Sequence, residues 1–475
     1  MRAAPRLTRT NDLPAAGIVH FGPGAFFRAF IAPYTDEAMA ASGGNWGITA
    51  VSLKSRTTLD QLVPQGCQYT ALERGPDGDR PRQIGAIRDV MLAPERQADV
   101  IAALADPANR IVTITVTEKG YCHDPRTGRL QADHPDIRHD IGNLDAPRSV
   151  IGFIVAGLRC RREAGHPPFT VLSCDNLPAN GRLLRGLISE FAAMIDGRLA
   201  DWIASQAAFP CCMVDRITPA TTQADIERLG HTEGYLDLAA VVHEPFRQWV
   251  IEDDFPSGRP DWETAGAQLV SDVERHELMK LRCLNGTHST LAYLGYLAGY
   301  ETISDTVADP VFAALCRKLW RDEILPTLPS PEGEDLPAYC DALLERYRNP
   351  AIRHRTWQIA MDGSQKLPQR LLGTISDHLA TGHVAPGLCL AIAGWMRYVA
   401  GTDESGNAID VRDPIAGALR TAATSADPVA SLLAIDAVFG RSLASNAAFV
   451  TSVRAAHGKL RDQGSAAAVA AFIAE

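Results

Sequence analysis

Residues 275–289 read R-H-E-L-M-K-L-R-C-L-N-G-T-H-S and hold four groups able to move or steer protons: Glu277, Lys280, Asn285 and His288. The segment has helical periodicity, so Glu277 and Lys280, three apart, share a face. Asn285 and His288 have the same spacing, and Lys280, Leu284 and His288 form an i, i+4, i+8 stripe. A lysine turned inward on so apolar a helix is desolvated. Its charged form is then disfavoured, and its pKa falls from about 10.4 toward a range useful for a general base. This suits alcohol oxidation: a neutral amine takes the hydroxyl proton while hydride leaves the carbon, and Asn amides stabilise the oxygen. The segment also approaches the zinc-protease pattern HExxH, but Lys280 stands where the second histidine belongs, which disfavours that reading. Singly, each residue has an ordinary explanation. A helical lysine is usually a surface charge, Asn285-Gly286 can end or kink a helix, and His288 can be a satisfied core histidine. Only the combination points to chemistry.

The elements that must position such groups alternate in type through the first half. Residues 17–22, 46–53, 110–118 and 169–174 read as buried strands rich in Val, Ile and Thr, with helical patterns at 94–105 and 149–163 between them. The alternation predicts an α/β architecture with a mostly parallel sheet covered on both faces. Thr117-Glu118-Lys119-Gly120 and Ser173-Cys174-Asp175-Asn176 end two strands at the edge where open α/β sheets take their ligands. Asp215-Arg216 adds a polar pair to an apolar run, either as a substrate contact or as a loop-fixing ion pair. Gly22-Pro23-Gly24-Ala25-Phe26-Phe27-Arg28 follows the first strand and opens a helix, so its glycines let backbone approach a pyrophosphate, although Phe27 replaces the third glycine of GxGxxG. After the second strand no acid precedes Asp60; Lys54 and Arg56 stand there, either to meet a 2′-phosphate or as solvated loop charges. A nicotinamide dinucleotide is expected, NAD first, with NADP left open.

From about residue 271 helical periodicity takes over, at 275–300, 309–325, 336–347, 356–379, 385–400 and 428–474. The 475 residues exceed one compact core, which predicts a Rossmann-type dinucleotide-binding domain over 1–270 and a mainly helical substrate domain over 271–475. A net charge of −10 argues against nucleic acid as partner, while leaving room for an anionic small molecule held by one or two local cations. The first ten residues carry Arg2, Arg6 and Arg9 but no apolar stretch, so no secretory signal is expected, and the apolar run 388–395 is too short to cross a membrane. Ten cysteines without any CxxC spacing suggest neither zinc nor a disulfide framework, but reduced thiols in a cytoplasm.

Six motifs together carry a resemblance over nearly the whole chain: GPGAFFRA (22–29), TVTEKGY (115–121), SCDNLPANG (173–181), MVDRITP (213–219), EPFRQWVIEDDF (244–255) and KLRCLNGTH (280–288). The sequence resembles the polyol-specific long-chain dehydrogenases, the family that includes mannitol 2-dehydrogenase. The resemblance implies a Rossmann-type domain followed by a helical one, and catalysis without a metal. It implies Lys280 as general base, Asn176 and Asn285 as the oxygen-stabilising pair, His288 orienting the substrate oxygen and Glu277 relaying the proton to water. Cofactor contacts would come from Gly22, Gly24, Ala25, Phe26, Arg28 and Glu118, and substrate contacts from Asp215 and Lys366. Within the family, HRTWQIAMDGSQKLPQR (354–370) and LGYLAGYETISDT (294–306) are similar to the D-mannonate oxidoreductase, or fructuronate reductase, branch. Gln358 stands where mannitol dehydrogenases carry an Arg that contacts a polyol hydroxyl, and Phe27 and Phe30 replace both histidines of the usual GxGxFHRAH. A buried hexonate carboxylate needs a cation, and Arg355 or Lys366 would supply it. The expected reaction interconverts D-mannonate and D-fructuronate. The rivals are a neutral-polyol dehydrogenase of the same family and a non-catalytic sugar-acid or nucleotide sensor.

Overall fold

Short runs of Val, Ile and Thr form the strands of the first unit in the computed structural model, which describes residues 4–475; Arg2 therefore lies outside the described residues. The chain divides into two units, Met1–Glu274 and Arg275–Glu475. In the first, the strands are β1 (Ala16–Phe21), β2 (Gly47–Ser52), β3 (Tyr69–Gly75), β4 (Gly78–Ile84), β5 (Ile87–Leu92), β6 (Ile111–Ile114), β7 (Thr170–Ser173), β8 (Cys212–Asp215), β9 (Val241–His243), β10 (Gln248–Glu252) and β11 (Gln268–Val270). Five of them make a parallel sheet in the order β5-β2-β1-β6-β7. The order reverses between β1 and β6, so a crevice opens beyond their carboxyl ends.

Alternate residues of these strands feed separate cores. Val19, Phe21, Val112, Ile114 and Val171 pack with the helices Gln97–Ala105, Val150–Glu163 and Asn180–Ala193. Ile18, Ile48, Ala50 and Leu172 pack on the other face with Phe27, Phe30, Trp249 and Trp262. Burial on both faces explains why these strands read as continuous apolar runs. Seven of the eleven named strands were not expected from that signal, and two show why. Arg88 and Asp89 interrupt the run of β5, and β4 (GDRPRQI) is nearly all exposed. Two three-stranded sheets, β11-β10-β8 and β4-β3-β9, complete the unit.

Arg161 shows how buried backbone is satisfied where helix Gln97–Ala105 gives way to the next loop. It is 1% exposed, and its guanidinium donates to Leu104 O at 2.8 Å, Asp106 O at 2.6 Å, Pro167 O at 3.1 Å and Asn109 O. Arg161→Met should lower unfolding stability by about 3 kcal/mol or more, because several buried carbonyls lose a charged donor. The exposed Arg461→Met is the control and should leave the midpoint unchanged; denaturant midpoints at constant slope check both.

The second unit is helical around one core drawn from residues 279–472. Its centre is helix Pro386–Tyr398, apolar almost all round, which packs against Thr287–Leu297 and Ala447–Gln463. Two of the long helices predicted from periodicity are broken. The 356–379 stretch divides after Ala360, where Asp362 takes a left-handed φ of 56°. The 428–474 stretch divides into four, with Asp427 and Asn446 as side-chain caps and Gly464 (φ 80°) as the last break. Among the described residues no helix is long and apolar enough to cross a membrane, and all ten cysteines are free thiols.

Glu323 is buried with its carboxylate accepting from Gly387 N (2.7 Å) and Leu388 N (2.8 Å), and burial pushes its pKa up to about 7. The folded state therefore holds this proton more tightly than the unfolded chain. The group's contribution is most favourable below about pH 4.5 and is lost as pH rises toward 7. Between pH 5 and 8 the wild type should lose about 2–3 kcal/mol more stability than Glu323→Gln. Parallel urea titrations at the two pH values measure this difference.

Candidate functional site

The turn after β1 contains two glycines with different reasons to be there. Gly22 has φ +92°, and a Cβ on it would lie 2.1 Å from Thr115 O at the end of β6. The fold itself requires that glycine. Gly24 has an ordinary φ of −71°, and its nearest neighbour to a Cβ would be Gly22 O at 3.9 Å. No packing in the fold needs Gly24 bare, which leaves its backbone open to close approach by a ligand. His20 fixes the turn from below. Burial holds its pKa down to about 3, so the ring is neutral. With Nε2–H donating to Gly22 O (3.1 Å), Nδ1 accepts from the Thr113 hydroxyl (2.8 Å).

The turn opens only a five-residue helix, Ala25–Ala29, before Phe30 leaves helical geometry and Ile31–Ser42 begins. Phe27 stacks on His20 at 3.7 Å, while Phe30 packs with Phe26, Tyr34 and Trp249. Both phenylalanines in the histidine positions thus face apolar or ring partners. Arg28, expected at the cofactor, is turned inward: it is buried and donates to Gly24 O (3.3 Å) and Ala239 O (2.5 Å). The carbonyls at the end of the short helix are met by Tyr69 Oη (to Arg28 O, 2.6 Å) and Arg216 Nη1 (to Ala29 O, 2.6 Å). Arg216 also donates to Glu244 O at 3.1 Å, so its guanidinium serves backbone carbonyls. Asp215 is buried at the end of β8.

Beyond the neighbouring strands a cleft of about 330 Å³ is lined by Thr117, Glu118, Lys119, Asp175 and Asn176. The strand predicted to run to Glu118 stops at Ile114; Thr117 takes φ +67°, and Glu118–Tyr121 is a 3-10 turn. Asp175 makes this irregular path possible. Its carboxylate accepts from Val116 N (2.9 Å), Thr117 N (3.2 Å) and Tyr121 Oη (2.8 Å). Burial raises its pKa, and the Tyr121 hydroxyl and the two amides oppose the rise. Asn180 ties the same loop to β8, donating to Cys212 O at 2.8 Å and accepting from Cys212 N at 3.0 Å. Asp175 and Asn180 lie inside a quoted motif but were not among the expected site residues, because a carboxylate and an amide in a loop give no hint that they bind main chain. Glu118 and Asn176, both expected, line the cleft. Of the cations after β2, Arg56 is paired with Asp60 (3.1 Å) and Glu95 (2.5 Å), and Lys54 is exposed.

In the second unit, Lys280–Gly286 is a π-helical stretch between the α-helices Glu274–Met279 and Thr287–Leu297. This corrects the α-periodic reading. On an α-helix five residues advance about 140° past a full turn, which would set Lys280 and Asn285 on different sides. With i→i+5 bonding, Asn285 stands roughly one turn beyond Lys280 on a common face, and the Lys280–Leu284–His288 stripe no longer runs straight. The irregular backbone is held by side chains. Trp320 Nε1 donates to Cys283 O (3.0 Å), Thr287 Oγ1 to the same carbonyl (2.5 Å), and Tyr347 Oη to Leu284 O (3.0 Å). Gly286 is needed because a Cβ there would meet Arg370 O at 2.9 Å.

Lys280 is 8% exposed, Glu277 and Asn285 are partly buried, and His288 is buried. The His288 ring stacks on Tyr347 (4.7 Å) and meets His354 edge-on (5.1 Å); burial holds its pKa well below the usual range, so it is neutral. Lys366, on the short helix Gly363–Leu367, donates to Met361 O at 2.6 Å and lies 3.9 Å from Asp362. Arg355, expected to bind a carboxylate, has a side chain 60% exposed beside Glu301 at 3.6 Å, an acid that also lies 3.3 Å from Arg353. Gln358 is exposed.

Comparison with known proteins matches residues 16–264 to the mannitol dehydrogenase Rossmann domain and residues 272–461 to the mannitol dehydrogenase C-terminal domain. D-mannonate oxidoreductase of Escherichia coli (strain K12) is 47% identical over 96% of this chain and 95% of its own length. A mannitol 2-dehydrogenase of Aspergillus fumigatus is 39% identical, over 93% of this chain and 89% of its own. Among solved structures, the Pseudomonas fluorescens mannitol 2-dehydrogenase in ternary complex with NAD and D-mannitol superposes with a TM-score of 0.85 at 38% identity, covering 100% of this chain and 98% of that one.

The two glycines give a separable test. Gly22→Ala should lose about 2 kcal/mol or more of stability through its left-handed φ and the Thr115 contact. Gly24→Ala should fold within about 0.5 kcal/mol of wild type but bind NADH at least about tenfold more weakly by fluorescence titration. Unchanged NADH affinity in Gly24→Ala would remove the turn from the cofactor site.

Proposed function

The chain belongs to the mannitol dehydrogenase family, oxidoreductases of secondary alcohols, and from that premise we propose that it interconverts a hexonate, D-mannonate foremost, with the keto acid D-fructuronate using NAD. The observation that carries the reading is the π-helical stretch, where the spacing of Lys280 and Asn285 matches one turn of the backbone on a largely buried segment. The preference for an acid is supported by the higher identity to D-mannonate oxidoreductase than to mannitol 2-dehydrogenases, and by the exposed Gln358 in the place of a polyol-contacting Arg.

The bare backbone at Gly24, with Gly22, Ala25, Phe26 and Glu118, fits a dinucleotide, which when bound supplies the hydride acceptor. The chain's own residues do the rest. The Lys280 amine takes the hydroxyl proton as the substrate's C–H bond gives up its electron pair as hydride. Asn285 and Asn176 donate amide hydrogens to the substrate oxygen as it passes from hydroxyl to carbonyl. His288, neutral and fixed by its stack on Tyr347, offers one ring N–H to the same oxygen. Glu277 passes the proton from Lys280 to water. Asp215 and Lys366 hold the remaining hydroxyls.

Lys280→Ala should lower kcat/KM by about 10²–10⁴-fold at pH 7 while NADH affinity and melting temperature stay within error. Turnover surviving that change removes the base assignment. The substrate is decided by a panel of mannonate, altronate, mannitol and arabinitol followed by nicotinamide absorbance. A larger kcat/KM on mannitol replaces the hexonate reading with the neutral-polyol one, and no turnover on any member favours a sensor.

A further inference from the structure

Arg370 lies on the third π-helical stretch of the second unit, Pro368–Leu372, which packs against Lys280–Gly286. Its guanidinium is enclosed by protein, and desolvation lowers its pKa, yet part of the side chain remains accessible. Nη1 donates to Ser289 Oγ at 3.1 Å, and Ser289 follows His288 in the chain. Among the described residues no carboxylate lies within ion-pairing distance of it, and the groups that oppose its desolvation are the phenols of Tyr293 and Tyr347. Arg282, on the neighbouring π-helical stretch, shows the contrast: it has Asp377 at 2.7 Å and Thr327 Oγ1 at 2.8 Å.

The surroundings add positive charge. Burial, and then the charges of Arg346, Lys366 and Arg370, hold the His354 pKa down to about 4. Arg346 and Arg370 act on His288 in the same sense. Enclosing a guanidinium with one neutral hydrogen-bond partner is unfavourable unless an anion completes its shell. A planar fork with unused N–H donors is matched best by a carboxylate taken bidentately.

We infer that Arg370, oriented by Ser289, receives the carboxylate of the sugar-acid substrate and thereby sets the preference for a hexonate over a neutral hexitol. This rests on the hexonate reading above and moves the selecting cation from the exposed Arg355 to an enclosed position beside the reactive segment. The charge of Arg355 is screened by open solvent, with Glu301 at 3.6 Å shared with Arg353. That of Arg370 is enclosed and, among the described residues, meets no carboxylate.

The test is steady-state kinetics on mannonate and mannitol with wild type, Arg370→Gln, Arg370→Lys and Ser289→Ala. Arg370→Gln should raise the KM for mannonate by about 30-fold or more, with a smaller change in kcat, and cut the mannonate-to-mannitol ratio of kcat/KM by a similar factor. Arg370→Lys keeps a cation without the fork and should recover part of the loss, leaving KM about tenfold above wild type. Ser289→Ala should shift KM in the same direction by a few-fold. If Arg370→Gln does not fold, the Lys variant decides: an unchanged mannonate KM overturns the inference. Equal losses on both substrates overturn it as well, since they mark a structural arginine. A wild-type enzyme that oxidises no hexonate removes the underlying reading, whereas one that oxidises hexonates while all three variants keep their KM removes only the role of Arg370.

Discussion

Backbone carbonyls displaced from regular bonding must find donors, and in the second unit that requirement organises what surrounds Lys280. The π-helical stretch over Lys280–Gly286 interrupts the i→i−4 ladder, so Cys283 O and Leu284 O take bonds from Trp320, Thr287 and Tyr347. Those donors come from two other helices and from the start of the next one, and they fix His288 at the same time, because Tyr347 is also its stacking partner. A regular α-helix would be simpler to build. It would also separate Lys280 and Asn285 by a large angle. The fold accepts an irregular backbone and surrounds it with donors, which places the amine and the amide on one face.

The first unit follows a related rule with charged groups. Arg28, Arg161 and Arg216 are buried, and each points its guanidinium at main-chain carbonyls. They hold the ends of short helices and the entries of loops. Asp175 does the reverse, offering a carboxylate to two amides and a phenol where the chain after β6 leaves the sheet. The result is a set of loops at the carboxyl edge of the sheet with fixed paths, which is what a cleft for a dinucleotide or a polyhydroxy substrate demands.

Much of this was legible in residue patterns, though unevenly. The strands β1, β2, β6 and β7 were visible because burial on both faces leaves a continuous apolar run. β4 was invisible because its residues are polar and exposed, and β5 because two charged residues interrupt it. The K-x4-N-x2-H spacing was recognisable as a motif, but its geometry was misread, since α-periodicity cannot show that a stretch winds with a wider turn. Arg28 and Arg355 look alike in a sequence. One is sunk into backbone carbonyls and the other sits beside Glu301 in solvent, and only tertiary packing separates them. Gly22 and Gly24 also look alike, and only one of them answers to the fold.

The hydrophobic cores hold a consequence for how such a chain can change over time. The clusters beneath the sheet draw only on the first unit, and the helical core only on residues 279–472. A cavity or an overpacked side chain in one of these clusters therefore meets its packing partners within the same unit. Compensating changes can then be drawn from the same cluster, so that each interior is repaired by its own residues.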